Sequence, residues 1–411
     1  MSFRSFLLGG LNILTLFSQS ATAHPHGHNA PVFVRSVRAR DTSQVFPNVG
    51  NSTFTVESAE VKLADGAPWL PRIAKLSDGT VLAVSTRFEN GTADHVLQLS
   101  RSTNGGQSFS HLTNIAEGPD DIDNGFLLEL PASAASSNST SSKRASLPIV
   151  LVSYRDHEKN ADGSYNTFRI KVARSENGGQ TWNDPVVAVE KPANGSKVGI
   201  WEAFMRFTKD GKTIQMTYSG ELAQDNQETF RVTSPDFGAS WTAPVNLRLH
   251  STDQSMRDGM QSIAEVSEED GTEKLIMELE VKVGSVVHME YVISEDDGET
   301  WGHRGTIYKP AGADHSAGAG QIARIGDTML ALVFLTDEDY EEVQWPDKGE
   351  TKALFSDGIL RNGALRWAEK PLTVFGKGSI WPGVVQWSAN SIMALASHDK
   401  AAYGRIVKVS A

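Results

Sequence analysis

A chain of 411 residues with no cysteine and a formal net charge of −12 cannot staple itself with disulfides or use a thiolate as nucleophile or zinc ligand, and it would repel nucleic-acid phosphates. Its stability must come from packing, and the length suffices for one large core assembled from repeated units. A neutral partner fits the charge better than a nucleic acid does.

Residues 1–23 read as a secretory signal. Arg4 supplies the positive start, residues 6–17 form an apolar run too short to span a bilayer, and Ala21-Thr22-Ala23 offers a small-residue cleavage site. No later run reaches the roughly 18 apolar residues of a membrane span, so no membrane association is expected. Sequons at Asn51, Asn90, Asn138 and Asn194 suit a chain entering a secretory pathway, and an extracellular monomer is the expectation.

Residues 24–50 mix His, Pro, Arg and Asn without periodicity and read as a flexible leader. His24, His26 and His28 invite a metal-binding reading, but no accompanying ligand is identifiable and a solvated tail is the simpler account. A single folded domain is expected over 51–411.

From Thr53 onward, runs such as TVLAVSTRF, PIVLVSYRD, TIQMTYSGE, KLIMELEVK and TMLALVFLT alternate with Gly, Asp and Asn turns. This pattern, lacking long segments of period 3.6, predicts an all-β fold with little helix. Within it a turn of the form S-x-[DN]-x-G-x-[ST]-[WF] occurs four times, beginning at Ser102, Ser175, Ser234 and Ser294. The Asp or Asn side chain closes the turn on its own backbone, the Gly supplies a positive φ, and the terminal aromatic pins the hairpin into a core.

The four serines are 73, 59 and 60 residues apart, the length of one four-stranded sheet with its loops. For all-β units at a fixed period the closed solution is a propeller, and residues 53–411 divided by this period give about six blades. A Ser/Ala-rich insertion at 132–142 accounts for the longer first interval. The last strand, GRIVKVSA, is expected to pair with the first, STFTVESAEV, and so hide the sheet edges. The Asp and Trp residues of the turns read as structural, a signal of fold and not of chemistry.

These turns match the Asp boxes of the sialidase superfamily. The segments TRFENG, GIWEAFM, RDGMQSIAEV, LIMELEVKVGSVVHMEYVISEDDGETW, HSAGAGQIARIGDTMLALVFLTDED and SIWPGVVQW further resemble the exo-arabinanases of glycoside hydrolase family 93. The resemblance implies a six-bladed β-propeller that releases arabinobiose from the non-reducing end of α-1,5-linked arabinan with retention of configuration. It places one family glutamate on Glu202, followed by Ala203 where a Pro is expected, and the other on Glu280. Glu278, two residues earlier on the same strand face, is the rival for the second position.

Retaining hydrolysis needs one carboxyl to protonate the leaving oxygen and one carboxylate to attack the anomeric carbon. Glu202 is assigned as general acid/base and Glu280 as nucleophile. The apolar neighbours Ile200, Trp201, Ala203 and Phe204 would hold a proton on Glu202 by disfavouring its charged form. Arg72, Asn124, Arg155, Asp156, His157, Arg257 and Asp258 interrupt apolar strand runs, so each either lines the channel or makes structural hydrogen bonds. Trp201 and Trp381 are candidates to stack on a sugar ring, with core packing as the alternative for both. No cofactor and no catalytic metal are expected, since no metal-ligand spacing is present. Two other readings stay open: an exo-sialidase, for which Arg72 and Arg257 imitate two of the three carboxylate-binding arginines, and a propeller that binds carbohydrate without cleaving it.

Overall fold

A computed structural model of the chain describes residues 42–46, 49, 51–88, 94–134, 147–251, 254 and 256–410. The signal-like segment, His24, His26, His28, Asn90 and Asn138 lie outside the described residues. Among the described residues the only helix is a 3-10 turn at Ala132–Ala134, at the start of the Ser/Ala-rich insertion, and everything else regular is strand.

The strands form antiparallel meanders of four. The first runs through Trp69–Lys75, Val81–Phe88, His95–Ser102 and Ser110–Gly118, and the second through Asp121–Leu130, Ile149–Lys159, Tyr165–Ser175 and Val186–Pro192. Ile200–Phe207, Ile214–Ala223, Asn226–Ser234 and Val245–Asn246 make another, as do Arg257–Glu268, Glu273–Val283, Val286–Ser294 and Gly302–Tyr308. Ala317–Ile325, Met329–Thr336, Glu350–Ser356 and Leu372–Phe375 follow. The last sheet combines Ile380–Ser388, Ser391–His398 and Ala401–Ser410 with two strands from the start of the chain, Ser52–Asp65 and Thr42–Phe46.

The first strands of successive meanders touch in order, and the last, Ile380–Ser388, touches Trp69–Lys75. The arrangement is therefore propeller-like, with these strands innermost. The hydrogen-bonded sheets nevertheless number five, not six: a parallel pairing of Gln227 with Arg257 welds two meanders into one nine-stranded sheet.

Closure follows the expected pairing, with Thr53 opposite Ser410 and Asp65 opposite Ala401. The folded chain begins earlier than expected, however, because Thr42–Phe46, inside the segment read as leader, is a strand paired with Ser52–Asp65. Phe46 explains this docking. It is buried, packs edge-on against Phe54 at 5.4 Å between centroids, and reaches Phe355 at 5.5 Å. Burying such a ring contributes roughly 1.5–3 kcal/mol, enough to hold a short edge strand.

The four repeated turns share one hydrogen-bond pattern. Each Ser Oγ accepts from the Gly amide four residues on, at 2.9, 2.9, 2.8 and 2.8 Å for Ser102, Ser175, Ser234 and Ser294. Each Asn or Asp Oδ1 accepts from the Ser or Thr amide that follows it by four, at 3.1, 2.9, 2.8 and 2.8 Å. The hydroxyl of that Ser or Thr adapts to its partner, accepting from Asn104 and Asn177 but donating to Asp236 and Asp296. Gly179 needs its glycine twice over: its φ is +84°, and an added Cβ would fall 2.8 Å from Leu99 of the preceding meander.

Candidate active site

Each innermost strand carries the same irregularity near its start. The register slips between Trp69 and Arg72, Asp123 and Phe126, Trp201 and Phe204, Gly259 and Ser262, Gly318 and Gln321, and Ile380 and Gly383. Inside each slip one residue has a left-handed backbone: Leu70, Asn124, Glu202, Met260, Ala319 and Trp381, all with φ between 48° and 55°. A non-glycine residue there costs on the order of 1–2 kcal/mol, and such strain persists only where packing dictates it. A β-bulge of this kind re-aims a side chain out of the normal alternation, and here it aims successive strands at the ring's centre.

Five of the six inner strands wall a small hollow of about 310 Å³, a volume that includes the open space at its mouth. Arg72, Asn124, Glu202, Met260, Gln261 and Gln321 are among its walls. Leu70, Met260 and Ala319 pack with Trp69, Trp345 and Trp381 into an apolar cluster, so one side of the centre is polar and the other aromatic. That division suits a sugar, which has C–H faces and hydroxyl edges.

Glu202 belongs to the polar side. Burial pushes its carboxyl up to about 7, and the nearby charge of Glu280 adds to the shift. Its Oε2 has no hydrogen-bond partner, while Gln261 Nε2 donates to its backbone carbonyl at 2.6 Å and fixes the bulge. Gln261 is held in turn by Ser219 Oγ at 2.9 Å.

Glu280 is not a wall of this hollow but stands beside it, opposite Gly259 in the strand pairing and one residue from the Met260 bulge. Burial raises its carboxyl as well. Against this, Ala319 N donates to Oε2 at 2.7 Å, and the cations Arg257 and Lys282 favour its charged form. The two environments differ in kind. The Glu280 carboxyl has a backbone amide and two cations beside it, whereas one oxygen of the Glu202 carboxyl has no hydrogen-bond partner.

Glu278 occupies the same strand face but is completely enclosed. Ser262 Oγ donates to its Oε1 at 2.7 Å, and burial raises its carboxyl well above the ordinary range. Of the two rivals Glu280 has two cations beside it, Arg257 and Lys282, where Glu278 has Arg72 alone.

The remaining predicted residues divide. Arg72 and Asn124 line the hollow; Arg72 Nη1 is tied to the carbonyls of Pro71 and Pro382 at 2.9 Å each, and burial lowers its pKa to about 10. Arg155 lies behind the wall. It donates to Asp121 at 2.9 and 3.1 Å, to Asp123 at 3.2 Å and to Asn124 Oδ1 at 2.6 Å, so it sets the Asn124 bulge without lining the hollow.

Asp156, His157, Trp201, Arg257 and Asp258 are likewise not wall residues. Asp156 accepts from Lys171 at 2.7 Å on the other sheet face. His157 is fully buried beside Trp201, Phe168 and Tyr165, and burial pushes it down to about 3, leaving it neutral. Trp201 is a core residue, 2% exposed, because strand alternation turns it away from Glu202 into that aromatic cluster. Arg257 pairs with Glu221 at 2.7 Å and Gln227 at 2.8 Å, at the weld between meanders. Asp258 is enclosed by Arg304, which grips both its oxygens at 2.8 Å, and by His250 at 3.1 Å.

Gln261, Ser219, Gln321 and Trp345 were not found from sequence. Gln261 directly follows the RDGM segment, and a bulge that turns it inward leaves no mark in the residue pattern. Among the described residues no group of three or more His, Cys, Asp or Glu is arranged to hold a metal ion.

Compared by sequence, the chain matches no family model and none of the curated proteins. Compared by structure, it resembles the family 93 α-L-arabinofuranosidase of Fusarium graminearum solved with arabinobiose (TM-score 0.59, 18% identity, covering 85% of this chain and 97% of that one). It also resembles the Penicillium chrysogenum α-L-arabinanase solved with arabinobiose (TM-score 0.57, 14% identity, 89% and 98% covered). The NanB sialidase of Streptococcus pneumoniae is a further neighbour (TM-score 0.53, 12% identity, 85% and 69% covered). The chain thus shares the propeller fold of these structures.

Proposed function

We propose that this protein is a secreted, retaining exo-α-1,5-L-arabinanase that releases arabinobiose from the non-reducing end of arabinan. The observation that carries the reading is the unlike pair at the centre: Glu202, half-buried, its carboxyl pushed up to about 7, next to Glu280, braced by the Ala319 amide and two cations. In a glycosidase with retention, the first donates a proton to the leaving oxygen. The second attacks the anomeric carbon to form a glycosyl ester, which water, deprotonated by the first, then cleaves. The likeness to two structures solved with arabinobiose supports the substrate.

The same reading counts six blades, one for each bulged inner strand, takes the four turns as Asp boxes, and has residues 1–23 removed on secretion. Asn194 and Asn51 are both exposed at turns, as glycan acceptors must be. A sialidase is disfavoured by the arginines. Arg72 is the only one among the wall residues, and Arg257 is committed to Glu221 and Gln227.

Chromatography of products from linear α-1,5-arabino-oligosaccharides tests the proposal. Arabinobiose as the sole early product is expected. Release of arabinose alone, a ladder of internal fragments, or activity on a sialoside instead would overturn it.

A further inference from the structure

The connections between second and third strands of the meanders rise at the same end of the sheets as the bulges, since Thr336 pairs with Ala317 and Lys282 with Arg257. Most are short: residues 284–285 and 399–400 suffice in two of them. The connection 337–349, between Met329–Thr336 and Glu350–Ser356, is far longer and carries Trp345. Its base is clamped. Asp337 is fully buried, and it accepts from Ser316 N at 2.8 Å, Gln344 N at 2.8 Å and Trp345 N at 3.0 Å. Lys352 ties the next two residues down through Glu338, at 2.7 Å, and Asp339. A loop of this length would otherwise sample many conformations, so three amide bonds to one enclosed carboxylate define where Trp345 stands.

Trp345 stands next to Glu280. A Cβ added to Gly318 would fall 2.7 Å from Glu280 Oε2 and 2.8 Å from Trp345 Cη2, so the indole edge and the carboxylate converge on one point, kept open by the missing side chain. The ring also joins the apolar cluster of Leu70, Met260 and Ala319, and it is only partly buried. A partly buried indole beside a buried carboxylate suits a substrate whose reacting carbon must sit over that carboxylate while its C–H face leaves water.

We propose that Trp345 is the wall of the sugar subsite at Glu280, and that Asp337 is the positioning residue that sets it. This rests on reading the site as a glycosidase. The test compares wild type, Trp345→Phe, Trp345→Ala, Asp337→Asn and the double variant Trp345→Ala/Asp337→Asn by KM and kcat separately, with melting temperature as the check on folding.

Trp345→Ala is expected to raise KM about tenfold with a smaller change in kcat, and Trp345→Phe to stay within about threefold of wild type. Asp337→Asn should reproduce the KM rise of Trp345→Ala, and the double variant should add nothing to it. In parallel, arabinobiose should quench tryptophan emission of wild type but not of Trp345→Phe, a readout that needs no catalysis. A KM within about twofold of wild type in Trp345→Ala, with full quenching retained in Trp345→Phe, overturns the inference. If wild type spares arabinan but cleaves another glycoside, the substrate reading fails and the same variants on that glycoside decide the role of Trp345. Cleavage of no glycoside overturns both.

Discussion

The repeated turns and the inner-strand bulges lie at opposite ends of the same sheets, and they are encoded in opposite ways. Ser102 pairs across to Val81, which pairs to Lys75 at the far end of its inner strand, whereas the Leu70 bulge sits at the start of that strand. The turns are alike in residues and in hydrogen bonds. The bulges are alike only in backbone, and their left-handed positions hold Leu, Asn, Glu, Met, Ala and Trp. In the four meanders that carry the turn, where it packs against a neighbouring meander, the same side chains recur. Where the inner strands meet, a shared backbone device carries a different residue in each, and four of the six, Leu70, Asn124, Glu202 and Met260, line the hollow.

This comparison predicts that the two ends separate stability from activity. The largest effect belongs to the bulge end. Glu280→Gln should lower kcat by at least about 10³-fold with little loss of melting temperature, while Glu278→Gln, an enclosed neutral isostere, should stay within about tenfold of wild type. Kinetics of the two variants side by side check this, and the opposite ranking would make Glu278 the working carboxylate.

Next comes pH. The Glu202 carboxyl is raised to about 7 from its ordinary 4.5, so the folded protein keeps a proton that the unfolded chain gives up. Its contribution to stability is complete below pH 4.5 and disappears as pH climbs through 7. Denaturant titrations from pH 5 to 8 should therefore show wild type losing on the order of 1–3 kcal/mol relative to Glu202→Gln. The wild-type kcat/KM should fall on the alkaline side of the same value, because the acid form donates the proton. Equal pH slopes in the two proteins would contradict the raised value.

The turn end should behave in reverse. Asp296→Ala removes acceptors for Thr300 N and Thr300 Oγ1, and it should cost about 1–2 kcal/mol in urea unfolding with kcat unchanged. A loss of kcat at full stability would break the separation. The smallest effect is expected at Asn104→Asp. There the Ser108 hydroxyl need only turn from accepting to donating, as it does in the Asp copies, and stability should move by less than about 0.5 kcal/mol.

How much could be read in advance follows the same division. The all-β class, the meander period, the closure of the ring by the last strand, and the structural role of the turns were legible, because they rest on local patterns repeated along the chain. Arg72 and Asn124 were also legible as polar residues in apolar strand runs, Glu202 was pointed to by the resemblance, and all three line the hollow. Trp201, His157 and Asp258 look the same in sequence yet face the core, because a polar or aromatic residue in a strand carries no sign of which face it takes once a bulge has shifted the phase. The strand at Thr42–Phe46 was missed for another reason: it is short and edge-placed, held by Phe46 against Phe54 and against Phe355 from a distant part of the chain. The weld at Gln227 and Arg257, which merges two meanders into one sheet, likewise depends on tertiary neighbours alone.

The account stands on Glu202 and Glu280 acting as an unlike pair, and the most direct measurement is the anomeric configuration of glycosyl azide formed when azide rescues each alanine variant on an activated arabinofuranoside. Glu280→Ala should yield the inverted azide, since azide takes the place of the missing nucleophile. Glu202→Ala should yield the retained azide, since azide then intercepts the glycosyl ester on Glu280. Interchanged products would reverse the two roles, and rescue of neither variant would remove the pair from the chemistry.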